Sequence, residues 1–442
     1  MKVKAGGTRL RLWWDNAFWV IPLAGLVAAV VLDAIVAQID QQLSVEVGAA
    51  ELWSPSSAVT FLASIGGGMI TFTGFVFSLV LLIIQFGSAT YSPRTVSYFL
   101  RSRVTQGVLA IFVGTSAYAF LALISIGSAG RESYVPFFGV LVCLICLLAS
   151  LVAFLVLIQS VAGRIRVDAL IADLGRIARR AVTRRPAGGS AAEPAALDAR
   201  PAASGTVLRH RGEPGQIVAI DVDRAVRGAA RFGVEIVFRV RVGDAIAPGA
   251  AVGTVSWDGA VSPAGSVDPA QERAVGELVD QCLLVHRERS LKYDPLYALR
   301  ILSDIGLRAL SAAINDPTTA VRALDEAEAV LRVAAPLPLG PVRVSSGRGG
   351  VVAASFTWND IVDLALWEVL EAGLQSPQVT RRLTALLDDL LADLPAERHD
   401  PLLRHRARLR AAVTASTLTD PGNAEAAGPW LIGDRQGLGG QR

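Results

Sequence analysis

The chain has 442 residues, 52% of them hydrophobic, and a formal net charge of +3. With a positive mean hydropathy, that composition excludes a single water-soluble domain, and so small a charge excess excludes a general nucleic-acid binder. Three cysteines, Cys143, Cys146 and Cys282, exclude a disulfide framework.

Apolar runs dominate up to about Ser160, and arginines and acids alternate with short hydrophobic patches after it. A membrane half therefore precedes a soluble half. A helix needs roughly 20 mainly apolar residues to cross the bilayer core. Four segments qualify: Ala17 to Ala37, Val59 to Phe86, Val104 to Ile126 and Tyr134 to Ile158, which makes residues 1–160 a four-span transmembrane domain. The first is long, holds Asp33 and ends in AIVAQID without a small-residue cleavage site, so it reads as a retained signal anchor. Cys143 and Cys146 form a CxxC inside the fourth run and read there as small hydrophobes on a helix face.

Orientation follows the arginines and lysines near the span ends. Lys2, Lys4, Arg9 and Arg11 precede span one, Arg94, Arg101 and Arg103 lie between spans two and three, and Arg164, Arg166, Arg176, Arg179 and Arg180 follow span four. The loop between spans one and two carries Asp40, Glu46 and Glu51 with no basic residue, and the last loop has Arg131 beside Glu132. Both termini are expected on the cytoplasmic side. Trp13, Trp14, Trp19 and Trp53 fall where an interfacial aromatic belt would lie.

Span two contains GGGMITFTGFVFSLVLLIIQFG, Gly66 to Gly87, an uncharged run rich in glycine. In lipid the helix cannot exchange its hydrogen bonds for water, so small residues become useful for bringing helices together. Ser64, Gly67, Thr71, Gly74, Ser78, Leu81 and Gln85 recur at steps of three and four, and span three carries Gly107, Ala110, Gly114 and Ala117 at the same steps. Spans two and three are expected to pack on these rows, within one subunit or between subunits. The sharper alternative is a polar row, Thr71, Thr73, Ser78 and Gln85, lining a water-filled or ion path. No intramembrane acid pair or arginine accompanies it, which weighs against proton-coupled transport.

Arg164 to Arg185 alternates basic residues with Ile165, Leu170, Ile171, Leu174 and Ile177. Residues 161–185 are thus expected to form a basic amphipathic juxtamembrane helix with arginines toward anionic headgroups. Residues 186–204, rich in Ala, Pro, Gly and Ser without apolar periodicity, read as a flexible linker. Residues 205–256 read as a small β module: GQIVAIDV is a strand, DRAVRGAARFG a short helical turn ending at a glycine, and VEIVFRVRVGDAIAPGAAVGTV two strands around turns. Its Val-Gly-Asp-x-Ile-x-Pro-Gly-x-x-Val pattern resembles the barrel-sandwich hybrid of biotinyl and lipoyl carriers. The stretch has no lysine, so no amide-linked cofactor is expected. Residues 268–416 read as a helical domain and 417–442 as a poorly ordered tail.

Within the helical domain, DPLYALRILSDIGLRALSAAINDPTTAVRALD stands out. Asn315 or Asp316 before Pro317 is a helix start, since a side-chain oxygen accepts free backbone N–H groups and proline suits the first position. Asp294 before Pro295 repeats the device. The alternative is a polar ligand or partner site around Asp304, Arg308, Asn315 and Asp316. His210, His286, His399 and His405 show no metal-ligand spacing, and no phosphate loop, dinucleotide fingerprint or nucleophile elbow is present. No catalytic residue, metal or cofactor is expected, and the chain does not read as an enzyme.

GGGMITFTGFVFSLVLLIIQFGSATYSPRTVSYFLRSRVTQGVLAIFVGTSAY, the Val-Gly-Asp segment and DPLYALRILSDIGLRALSAAINDPTTAVRALD together resemble a bacterial family of predicted membrane proteins, domain of unknown function 2254, with Ser92, Pro93 and Arg94 matching its pattern after span two. The resemblance implies a bacterial inner-membrane protein and supplies no catalytic residues. The expected fold class is mainly α: a four-helix transmembrane domain with a cytoplasmic α+β region. Two functions follow: an oligomeric channel-like permeation protein with a cytoplasmic assembly or gating domain, or a non-transporting scaffold or sensor whose cytoplasmic module binds a protein or small ligand. Expected partners are the lipid bilayer, further copies of the chain and a cytoplasmic protein, and no nucleic acid. The topology is testable with an impermeant thiol reagent added from outside: Glu46→Cys should react and Arg184→Cys should not, and reversed labelling would overturn it.

Overall fold

The computed structural model describes residues 19–43, 54–90, 103–126, 136–165, 167–183, 192–195, 205–257, 269–291, 293–294 and 296–419. Trp13, Trp14, Trp53, the basic residues Arg94 and Arg101, the acids Glu46 and Glu51, and the tail from residue 420 lie outside them. The chain divides into two compact units: Arg11–Arg166 holds the apolar helices, and the described residues from Val167 onward belong to the other.

The first unit consists of α1 (Val20–Leu43), α2 (Pro55–Thr90), α3 (Arg103–Ser125) and α4 (Phe137–Ile165). Each is long and apolar enough to cross a membrane, because a helix satisfies its own backbone where no water is available. α3 packs against α1, α2 and α4. It buries Phe112, Tyr118 and Ala119 in the shared core with Leu62 and Met69 of α2 and Leu157 of α4. The closest backbone approach is between α1 and α3. A Cβ on Gly25 would lie 2.3 Å from the Ala110 carbonyl oxygen, and one on Gly114 would lie 3.0 Å from the Gly25 carbonyl oxygen. Ala110 and Gly114 of the α3 row thus serve α1, and not α2 as the spacing suggests.

Polar groups inside this unit are matched in pairs. Thr115 Oγ1 and Ser150 Oγ, both buried, lie 3.0 Å apart across α3 and α4, and Ser116 Oγ donates to the Gly66 carbonyl of α2 at 3.1 Å. Asp40, fully buried near the end of α1, accepts the backbone N–H groups of Phe138 and Gly139, each at 2.9 Å. These are among the free donors of the first turn of α4, so the carboxylate caps a helix it does not belong to.

The second unit begins with α5 (Val167–Val182), whose apolar row of Leu170, Ile171, Leu174, Ala178 and Val182 is buried. That row packs on α8 (Tyr297–Ala309) and α9 (Pro317–Ala334). Arg176 pairs with Asp173 and Arg179 with Glu326.

Two sheets follow. The larger runs β1 (Ala192–Pro194), β8 (Val342–Ser346), β9 (Gly349–Ala353), β4 (Val234–Phe238), β6 (Ala251–Trp257) and β2 (Thr206–Arg209), and the smaller runs β5 (Ala245–Ile246), β3 (Gly215–Ile220) and β7 (Leu283–His286). All pairings are antiparallel except β4 with β9. The strands of 205–256 are therefore divided between two sheets and share them with strands from 283–286 and 342–353. The sheets do not reproduce a self-contained barrel-sandwich module. β1 arises inside the stretch read as a linker, and β7, β8 and β9 inside the stretch read as helical. α6 (Val222–Phe232), capped by Asp221 on the Arg224 N–H and ended by Gly233 at φ +63°, lies so close to β9 that a Cβ on Gly349 would meet the Ala229 carbonyl carbon at 2.2 Å.

The remaining helices are α7 (Pro269–Cys282), α8, α9, α10 (Trp358–Gly373), α11 (Pro377–Asp393) and α12 (His399–Thr419). α7 stops at Cys282, where Leu283 enters β7. Cys282 is a free, buried thiol, and burial pushes its pKa up to about 12.

The Gly25 crossing generates a paired prediction. Gly25→Leu, with no room for even a Cβ, should destabilise the helix unit by about 1–3 kcal/mol. Gly67→Leu, with nothing within 4 Å of its Cβ position, should leave the monomer unchanged. Denaturant midpoints of the detergent-solubilised monomer check both.

Candidate functional site

The row on α2 faces away from the protein. Ser64, Gly67, Thr71, Gly74, Ser78, Leu81 and Gln85 are all exposed, whereas the opposite side of the helix buries Leu62, Ile65, Met69, Val76 and Val80. A Cβ on Gly67, Gly74 or Gly107 would meet nothing within 4 Å. Of the α3 row, Ala110 and Gly114 make the close approach, and they make it with α1.

Each hydroxyl of the row donates inward along its own helix. Ser64 Oγ donates to the Thr60 carbonyl at 2.6 Å, Thr71 Oγ1 to Gly67 at 3.2 Å and Ser78 Oγ to Gly74 at 3.0 Å. No hydroxyl hydrogen is left unsatisfied in an apolar medium, while the oxygen keeps a lone pair directed away from the carbonyl it serves. The result is an uncharged row of acceptors and gaps on an otherwise apolar surface of large residues such as Ile70, Phe75, Phe77 and Leu82.

The second expected site, around Asp304, Arg308, Asn315 and Asp316, resolves into separate structural tasks. Asp304 accepts from Arg300 Nε at 2.9 Å, and Arg300 makes a bidentate pair with Glu368 of α10 at 2.7 Å for each bond. Those bonds hold the guanidinium above its ordinary pKa, against the pull of burial. Asp316 caps α9, accepting from Thr319 N at 3.1 Å and Thr319 Oγ1 at 2.6 Å, with Pro317 in the first turn. Asn315 is exposed and takes φ +46° in the turn before it, a region that asparagine tolerates better than most residues. Arg308 lies in the last turn of α8.

Sequence reading missed the ionic cluster between α9 and α11. Arg382, 7% exposed, donates to Asp325 at 2.6 Å and to Glu328, and Glu328 also accepts from Arg332 at 2.7 Å. Burial alone would lower the Arg382 pKa, and the two carboxylates raise it above the ordinary value. Its signal is the pair of acids at 325 and 328, one turn apart on a helix, facing an arginine about sixty residues later that nothing local identifies. Among the described residues, no group of three or more His, Cys, Asp and Glu side chains is placed to hold a metal ion.

Asp360 joins the sheets to the helices. It forms a capping box with Thr357 at the start of α10 and accepts from Arg241 Nη1, in the turn after β4, at 3.0 Å. Burial pushes its carboxyl up, but the Thr357 N–H and hydroxyl and the Arg241 guanidinium together hold it below the ordinary 3.8. A lowered pKa means that the ionised form stabilises the fold above the unfolded value and that this stabilisation fades as pH falls through the folded one. Asp360→Asn should therefore cost about 1 kcal/mol at pH 7. The gap to the parent should close as pH falls below about 4, read as thermal unfolding midpoints across pH.

The family described as predicted membrane protein, domain of unknown function 2254, matches residues 15–389. Uncharacterized proteins of Mycobacterium tuberculosis and Mycobacterium bovis are 28% identical over 340 residues, covering 76% of this chain and 64% of their own length. The chain thus spans less than two thirds of the curated relatives it matches. No solved structure matches.

Proposed function

The chain belongs to the family of predicted membrane proteins defined by domain of unknown function 2254, and from that premise we propose that it is an oligomeric, channel-like permeation protein of the bacterial inner membrane. In this reading α2 lines the path, and the unit from Val167 onward is a cytoplasmic assembly or gating domain. The observation that carries the reading is the outward row of α2. Small and hydroxyl-bearing residues on the outside of a membrane unit have no task within one subunit, because the core is complete without them. Between copies, the gaps at Gly67 and Gly74 admit a neighbouring helix.

The chemistry of the row selects what passes. Its hydroxyls have already given their hydrogens to the helix and present oxygen, and Gln85 continues the row with an amide. An uncharged acceptor row replaces the hydration of cations or water better than that of anions. With no acid in the row, the path carries no proton relay.

Subunit association and flux measured together in liposomes test this. Gly67→Leu and Gly74→Leu should lower association. Thr71→Val and Ser78→Ala nearly preserve shape and should keep association while changing flux by removing acceptors. A parent protein without flux under any voltage or osmotic step defeats the permeation reading, and flux indifferent to both hydroxyl deletions removes α2 as the lining.

A further inference from the structure

The arginines of the second unit fall into two populations. On the helical side five are paired with acids, Arg300 with Glu368, Arg332 with Asp393, Arg382 with Asp325, Arg406 with Asp388 and Arg408 with Glu371, while Arg398 donates to the Ala335 and Leu337 carbonyls. Beside the small sheet, Arg211, Arg224, Arg227 and Arg287 have no carboxylate partner among the described residues. They border two adjoining hollows. The first, about 990 Å³, lies between the turn joining β2 to β3, the end of α7 and β7, and Arg211, Arg224 and Arg287 line it over an apolar floor that includes Pro214 and Leu283. The second, about 660 Å³, runs along α6, where Arg224, Arg227 and Arg231 recur at steps of three and four. Arg224 and Gln281 belong to both.

The parts of this groove are held in place. Arg224 Nη2 donates to Gln281 Oε1, which fixes one corner of the guanidinium and leaves the rest of the fork for another acceptor. The Arg211 guanidinium rests 3.1 Å from the Cβ position of Gly276 on α7, in space that a larger residue would fill. Glu213 and Asp280 also line the first hollow, and Asp221 and Glu277 the second. The buried His210 ring places Nδ1 3.3 Å from Asp280 Oδ1, off hydrogen-bond alignment, and Arg211 N donates to the same oxygen at 3.3 Å. His210 Nε2 lies 3.1 Å from the Glu213 carbonyl oxygen, so the ring braces the turn that carries Arg211.

We infer that this groove binds a nucleoside polyphosphate, with the planar base over the apolar floor of the first hollow and the phosphates along Arg224, Arg227 and Arg231. Guanidinium forks match phosphate oxygens bidentately. A hollow of this size, with Pro214, Leu283, Leu284 and Val285 beside convergent guanidinium groups, offers both the apolar surface and the polar anchors that a ligand of that class uses. The inference is independent of permeation by α2, since every residue it uses lies between 209 and 288.

Equilibrium dialysis of the full chain in phosphatidylcholine nanodiscs with labelled ATP tests it. The expected result is saturable binding that Arg224→Ala weakens about tenfold or more and Arg224→Lys weakens less. Arg408→Ala, far along the chain on α12, should leave binding unchanged, and unchanged thermal midpoints establish that the variants fold. Three results would overturn the inference: no saturable binding up to about 1 mM, binding indifferent to Arg224→Ala, or inorganic triphosphate competing as well as ATP, which removes the base from the apolar floor. Binding that appears only with acidic phospholipid vesicles and is not displaced by ATP would reassign the arginines to lipid headgroups.

Discussion

Where Gly25 crosses Ala110 and Gly114, two helix backbones meet with no side chain between them, and the arrangement of the membrane unit follows from that contact. Helices in lipid gain little from burying apolar surface, because the surroundings are equally apolar, so close approach and matched hydrogen bonds decide which faces meet. α1 takes Ala110 and Gly114 of the α3 row. α2 then meets α3 through its large residues, with Ser116 donating to the Gly66 carbonyl, and its own small row is turned outward. The same economy of polar groups governs Thr115 with Ser150 and the hydroxyls of α2, each satisfied before it faces hydrocarbon.

The second unit rests on water-side physics. Its helices are amphipathic, with continuous burial of residues such as Leu302, Leu331, Leu366 and Leu386, and ion pairs join them at the rim. Ion pairs of this kind contribute modestly where exposed and demand completeness where buried, which is why Arg382 has two acids and not one. Against that background, the cluster of arginines beside β7 that form no ion pair among the described residues stands out, and such concentrations of unpaired charge tend to lie where a protein meets something else.

Much of this architecture was legible in the amino-acid sequence. The four apolar runs became four helices, and the cap at Asp316 and the glycine stop at Gly233 stand where local chemistry puts them, since caps depend only on neighbours in the chain. The misses are non-local. β7 and β9 are short strands, LLVH and GGVVA, without an alternation that distinguishes a buried strand from a stretch of helix. β1 exists only because β8 pairs with it, and no composition rule marks it. The row on α2 was visible as a period, but period alone does not say which partner a face meets. That depended on the Gly25 crossing, and one glycine in span one carried no signal of its own.

The carboxylate of Asp40 also bears on how the membrane unit is made. Its two donors, Phe138 and Gly139, lie 98 and 99 residues further along the chain. At a synthesis rate of about 5–20 residues per second, α1 waits roughly 5–20 s before the groups that satisfy Asp40 emerge. During that interval an acid at the end of the first span must stay in contact with water or headgroups. Until the last span arrives, that end of the helix keeps the acid near polar surroundings. The first span made thus gains the partners of its one buried acid only when the last span is in place.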